Sequence, residues 1–462
     1  MRVAIVIVVL LGCGDSGDSS DIAPRPLTDM NPDPDIVEVE LVAAPATHTY
    51  LPGKPADVWA FRDGASGDAA TIPGPLLEAK LGDRVLIHFR NELPEETTIH
   101  WHGLRVPNAA DGTPSAQMPV PPGGEFVYEF VAIDAGLYWY HPHMRGDVQI
   151  EAGLYAPIRI RAPLDASIDV AAERVFVLDD VKLEATGQLS TRTDNLDLML
   201  GRQGNVLLVN GRQQPTIRAA AGSRERWRFV NTANGRYFQL ALAGHTFRVI
   251  GWDGGFVTTP YETDRLLIAP GERYDVLVEL QGPAGNSLEL QTVHYERGHN
   301  VPDPGPKGLM FIDLGSATTS PAPLPSTWGD TSPIAIDAAT PRRRMIMRED
   351  DSDPGNPIFT INDQAFPNIT PEAGAAGRVE IWDIENASEM DHPFHLHGMS
   401  FQVLDDAGQL VQPLAWKDTM NVPLETTRSF AVRLGDPGRW MFHCHLLEHA
   451  ERGMMGELEV AP

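Results

Sequence analysis

Ten of the 15 histidines fall in four short clusters: His100-Trp101-His102, His141-Pro142-His143, His392-Pro393-Phe394-His395-Leu396-His397 and His443-Cys444-His445-Leu446-Leu447-Glu448-His449. Four of the pairs have i, i+2 spacing, far more than random placement would give. On a strand, residues two apart share a face, so each pair turns two imidazoles to one side. Pairs facing pairs make a nitrogen-lined cage, and imidazole suits copper, iron and zinc. Eight histidines exceed the need of a single-metal site and fit a multinuclear one. The isolated residues His48, His88, His245, His294 and His299 read as ordinary packed or exposed side chains.

The last cluster adds sulfur. Cys444 is a thiolate candidate, His449 follows it, and Met454 lies five residues further on. With His392 as second nitrogen, a cysteine, two histidines and a weak axial methionine make a blue-copper electron-transfer site. Because His443 and His445 flank Cys444, one covalent path would join that sulfur to the cage.

The elements that must carry these residues are short strands. Beyond residue 35, β-branched or aromatic runs such as Arg84-Val85-Leu86-Ile87-His88-Phe89 and Phe126-Val127-Tyr128-Glu129-Phe130 alternate with turns, in keeping with 42 glycines and 39 prolines. No long 3.6-period segment stands out, so the fold class is all-β, built of stacked sandwiches. Three sections share a plan, a Gly turn leading into a strand that ends in Asn: Gly82 to Asn91, Gly222 to Asn231 and Gly377 to Asn386. This predicts three similar domains at 36–165, 166–315 and 334–462, with 316–333 as linker. The histidine clusters fall in the first and third, and the middle domain, which has none, reads as a scaffold.

Length agrees, since 462 residues suit about three domains. A formal net charge of −27 makes nucleic acid an unlikely partner. Arg2 followed by the apolar run Val3 to Leu11 reads as a signal peptide over 1–12. Leu10-Leu11-Gly12-Cys13 resembles a bacterial lipobox, which would lipidate Cys13 and leave 13–35 as a disordered tether. The expected location is outside the cytoplasm, periplasmic or in the cell envelope, with membrane contact only through that anchor, and a monomer.

Taken together, the four motifs resemble those of the multicopper oxidases, the laccases and bacterial copper-efflux oxidases, from about residue 36 to the C-terminus. The resemblance implies three consecutive cupredoxin-like Greek-key β-sandwich domains and four copper ions: one type 1, one type 2 and a type 3 pair. His392, Cys444 and His449, with axial Met454, would bind type 1. His100 and His395 would bind type 2, and His102, His141, His143, His397, His443 and His445 the type 3 pair. Asp111 matches an acidic residue that helps protonate oxygen intermediates, so Asp111 and Cys444 are the expected catalytic residues. Many bacterial members carry a glutamate directly after the last type 1 histidine; here Ala450 stands there, with Glu451 one further on, which puts that proton route in doubt. The implied activity is four one-electron oxidations coupled to reduction of dioxygen to water. A copper nitrite reductase would not need a six-histidine pair site, and the non-catalytic scaffolds of the family have lost ligands that are intact here.

For the reductant two readings stand. No methionine-rich insertion follows Arg342-Arg343-Arg344-Met345-Ile346-Met347, which predicts an open type 1 site and phenolic or aromatic-amine donors. Met345 and Met347 read as core. Against this, Met390 stands two residues before His392 as in cuprous oxidases, although Ser388 takes the place of their acidic ligand. Cuprous or other metal ions are therefore the alternative.

Overall fold

The computed structural model describes residues 22–299, 301, 303–317, 321–329, 331–350, 352, 353 and 355–462. The expected leader and Cys13 lie outside them. The strands pair into three two-sheet sandwiches: two four-stranded sheets, then a six- and a five-stranded sheet, then two five-stranded sheets. Alternation explains each locally. Arg84–Asn91 buries every second residue, sending Val85, Ile87 and Phe89 into the first core.

The weak repeat in the sequence has a shared topology behind it. Ile36–Leu51 pairs parallel with Arg84–Asn91 and antiparallel with Lys54–Asp63. Ala172–Val181 does the same with Arg224–Asn231 and Val206–Val209. Arg342–Asp350 does so with Val379–Asn386 and Ile358–Ile361. The repeated asparagine closes each parallel strand. Asn91 Nδ2 donates to Val120 and Glu95 carbonyls, both at 2.8 Å, while its Oδ1 accepts from Leu93 N. Asn231 likewise serves Ile268, Arg236 and Ala233, and Asn386 serves Val422, Met390 and Ser388. One buried amide thus satisfies three backbone groups where the chain leaves the sheet, which is why an asparagine recurs there.

One expectation needs correction. Residues 22–35 are no loose tether: Ile22 is buried, Leu27 N donates to Leu76 O at 2.8 Å, and Thr28 bonds Asp63 through both backbone and hydroxyl. Backbone pairing and a buried apolar side chain hold this stretch despite its polar composition. The described part of the 316–333 linker is also seated, with Leu324 and Trp328 packed against Ile250 and Leu277.

Candidate functional site

Strand alternation builds both halves of the site. His100–His102 pairs antiparallel with Gly136–His141, setting His100 opposite His141, while Trp101 between the two histidines enters the first core. In the third domain His392–Leu396 pairs with Gly438–Cys444, placing His395 opposite His443 and Phe394 opposite Cys444. Phe442 and Cys444 therefore point into the third core, and His443 and His445 point the other way. One strand serves two sites through its two faces.

All four i, i+2 pairs converge on one cavity between the first and third domains. His100 stacks on His397 and His102 on His395, each with ring centroids 3.8 Å apart. His443 Nε2 lies 3.1 Å from His397 Nε2 and 3.4 Å from His143 Nε2. His445 closes the cage at 4.9 Å from His102.

Most of the rings are bonded to protein on the outside. Nδ1–H of His100, His141, His395 and His443 donates to the carbonyls of Asp111, Pro142, Asp418 and Cys444, at 2.8–2.9 Å. His397 Nδ1–H donates to the Asp111 carboxylate at 3.1 Å, and His102 Nε2–H reaches Asp418 at 3.1 Å. These bonds fix the tautomers and leave lone pairs facing inward. Nε2 of His100, His141 and His395, Nδ1 of His102 and both nitrogens of His445 have no protein partner. Burial pushes His443 down to about 3 and holds His102, His141, His143, His397 and His445 well below the ordinary range, so these imidazoles are neutral, the form that binds metal. Converging buried lone pairs repel one another unless cations lie between them. The donor set fits copper.

The sulfur site sits deeper in the third domain. Cys444 Sγ is 3.4 Å from His392 Nδ1, and His449 Nδ1 is 3.2 Å from the same atom. His449 rides on the short helix Leu447–Glu451 and stacks on Phe359 at 3.9 Å. Met454 is fully buried in the same apolar cluster as Cys444, as are Met345 and Met347. Burial pushes the Cys444 thiol far up, so a bound cation is needed to hold it as thiolate. It also lowers His392 to about 4. None of the five isolated histidines joins a group of candidate ligands among the described residues.

Several contributors were missed in the sequence. Asp418 touches His102 and His395 and is clasped by Arg273 of the middle domain, Nη1 to Oδ1 at 2.6 Å and Nη2 to Oδ2 at 2.5 Å. Burial alone would raise the Asp418 carboxyl, but the Arg273 guanidinium holds it well below the usual range. Gly103 makes room for this pair: at φ +86 a Cβ there would stand 2.3 Å from Arg273 Nη2. The open type 1 site expected from the missing insertion is not found. His449 is fully buried, and its Nε2–H donates to Met199 O at 3.1 Å, from the middle-domain helix Asn195–Leu200. Ala450 is buried beside Met441 and Met455, and Glu451 turns its carboxylate to Gly146 N at 2.6 Å.

Cupredoxin-like sandwiches in triplicate, with a sulfur–imidazole site wired to a polyhistidine cage, define a multidomain copper protein. Multicopper oxidase family models match residues 55–165, 179–298 and 336–462. The chain is 31% identical over 429 residues to multicopper oxidase MmcO of Mycobacterium tuberculosis, covering 84% of this chain and 82% of the relative. A multicopper oxidase structure from Campylobacter jejuni, described as a metallo-oxidase, superposes with TM-score 0.84 at 29% identity over 95% of this chain and 94% of the other. A laccase structure from Pediococcus acidilactici gives 0.83 at 29% identity over 95% and 93%. The chain belongs to the multicopper oxidases. It is a copper-dependent oxidoreductase that passes electrons from a reducing substrate to dioxygen.

Proposed function

We propose that the chain holds four coppers and oxidises phenols or aromatic amines, one electron at a time, in the manner of a laccase. The observation that carries this is the division of labour on Gly438–Cys444, where the sulfur enters the core and its neighbours His443 and His445 enter the cage. His392, Cys444 and His449 with Met454 would hold the type 1 ion. His100 and His395 would hold type 2, and His102, His141, His143, His397, His443 and His445 the type 3 pair; five of these eight rings carry nitrogens with no protein partner, which supports metal in the cage. Copper supplies reversible one-electron chemistry and binding of dioxygen. The protein supplies the rest. The peptide units on either side of Cys444 give electrons a bonded route inward. Asp418 and Asp111 orient four of the rings, and dense burial excludes water. Asp111, fully buried with its carboxylate 3.1 Å from His397 Nδ1, is the proposed carrier of protons to the cage.

A second reading is favoured by a hollow of about 580 Å³ lined by Glu349, Glu385, Glu389 and Glu425, at whose edge Ser388 Oγ meets His392 Nε2 at 2.7 Å. Its chemistry suits cations, and hence cuprous or other metal ions as donors. Oxygen uptake by copper-loaded protein separates the two. Turnover with 2,6-dimethoxyphenol is expected; a rate with Cu(I) far above that with any aromatic donor overturns the phenol assignment.

Export and lipidation at Cys13 follow from the leader pattern, and a monomer is expected. No helix among the described residues is long and apolar enough to cross a membrane. Mass spectrometry of the mature N-terminus tests the anchor, which an unmodified terminus away from Cys13 overturns.

A further inference from the structure

A cavity of about 220 Å³ in the middle domain abuts the sulfur site, and its lining includes Arg236, Tyr237, His294, Tyr295, Arg297 and Lys307. Tyr237 and Tyr295 stack at 5.6 Å with an interplanar angle of 27°. Tyr237 belongs to the apolar cluster that contains Cys444 and Met454. Tyr295 Oη donates to Asp391 Oδ2 at 2.7 Å, and Asp391 immediately precedes His392. The cavity is thus joined to a type 1 histidine through one hydrogen bond and the peptide link between the two residues. The edge of His449, by contrast, is closed by the Met199 carbonyl.

Two cations that line the cavity, Arg297 and Lys307, have no ion pair among the described residues, with Asp391 and Asp180 the nearby carboxylates. Arg236 is paired with Asp180, and His294 lies within 3.9 Å of Glu296 and Asp303, both largely exposed. Arg297 is buried, donates through Nη2 to Leu200 O at 2.6 Å and lies over the Tyr237 ring, but its Nη1 has no partner. The exposed Lys307 ammonium makes no hydrogen bond or ion pair among the described residues. A buried guanidinium nitrogen without an acceptor is costly, and a carboxylate is its natural complement. A cavity of about 150 Å³ holds a benzene ring, so this one admits a single substituted ring.

We propose that this cavity docks an aromatic donor bearing a carboxylate, its ring against Tyr237 and Tyr295 and its anionic group toward Arg297 and Lys307. The inference rests on the laccase-like reading and narrows its substrate class. Each phenolic donor loses one electron and its hydroxyl proton; four donors and one dioxygen give four phenoxyl radicals and two waters. The formal net charge of −27 does not prevent capture, because exposed charges are screened beyond about 8 Å at physiological salt.

The test compares syringate with uncharged 2,6-dimethoxyphenol on copper-loaded wild type and Lys307→Glu, a change at an exposed position. The ratio of kcat/KM for syringate over dimethoxyphenol is expected to fall about tenfold in the variant, mainly through KM. Calorimetry with 3,5-dimethoxybenzoate, which lacks the oxidisable hydroxyl, is expected to show binding to wild type and weaker binding to the variant. A ratio unchanged within twofold, or no binding of the benzoate to wild type, overturns the cavity assignment while leaving the laccase-like reading standing. Failure of wild type to oxidise either donor overturns the laccase-like reading itself.

Discussion

The histidine cage and the sulfur site are bound by the same strand yet held by different means. The cage draws rings from two domains and a charged clasp from a third, Arg273 on Asp418, with both side chains only 1% exposed. The sulfur site takes its ligands from one domain, on a sheet and a single helical turn, packed among Trp382, Phe394 and Phe442. The cage therefore depends on domains docking, and the sulfur site on one core closing. The two should fail separately when the supports are changed one at a time.

The largest effect is expected from Cys444→Ser. Turnover falls by about three orders of magnitude, ~4 kcal/mol on the barrier, while the cage still takes up its copper. Loss of the blue absorbance with cage copper retained, read by metal analysis, is the expected pattern; loss of all copper would make the two regions one unit. Next comes Asp418→Ala, which leaves the buried Arg273 with only the more distant Asp253 carboxylate, 3.8 Å away, and costs about 3 kcal/mol. Here cage copper is lost first and the blue band persists, as copper stoichiometry and denaturant unfolding would reveal. Simultaneous loss of both signals would break the comparison.

How much of this was legible in the sequence follows the same divide. Alternation on a strand is a local rule, so the pairs at 100/102, 141/143, 395/397 and 443/445 announced a shared face, and the Cys444–His449–Met454 spacing announced a compact sulfur site. Asp418 and Arg273 are 145 residues apart. Each looks like an ordinary charged residue near a turn, and nothing periodic links them. The Met199 carbonyl that covers His449 is a backbone group, and no side-chain pattern marks it. The open type 1 site was inferred from what domain three lacks; the cover came from domain two. Residues 22–35 were misread because composition cannot register backbone pairing with Leu76 or the hydrogen bonds of Thr28 to the Asp63 carboxylate.

Smaller effects sharpen the contrast within the sulfur site. Met454→Leu conserves volume and is expected to cost less than about 1.5 kcal/mol in stability. It keeps the blue band and raises the type 1 potential, because the thioether donor is gone; a redox titration showing no rise would remove Met454 as axial ligand. The smallest effect lies outside both regions. Burial, and then neighbouring Asp180, push Asp179 up to about 7, while Tyr155 Oη donates to it at 2.5 Å. A carboxyl raised in the folded state contributes stability at low pH and loses it as pH climbs through the folded value. Between pH 6 and 8 the loss is roughly 1 kcal/mol. Asp179→Asn should flatten that slope in thermal melts, and an unchanged slope would assign it to other groups.

The clasp on Asp418 also sets an order of events for a chain emerging from the ribosome. Cage ligands run from His100 to His445, and their clasp comes from residue 273, so no partial product short of residue 445 contains a finished cage. A complete cage therefore exists only once the first and third modules have both been made and have met.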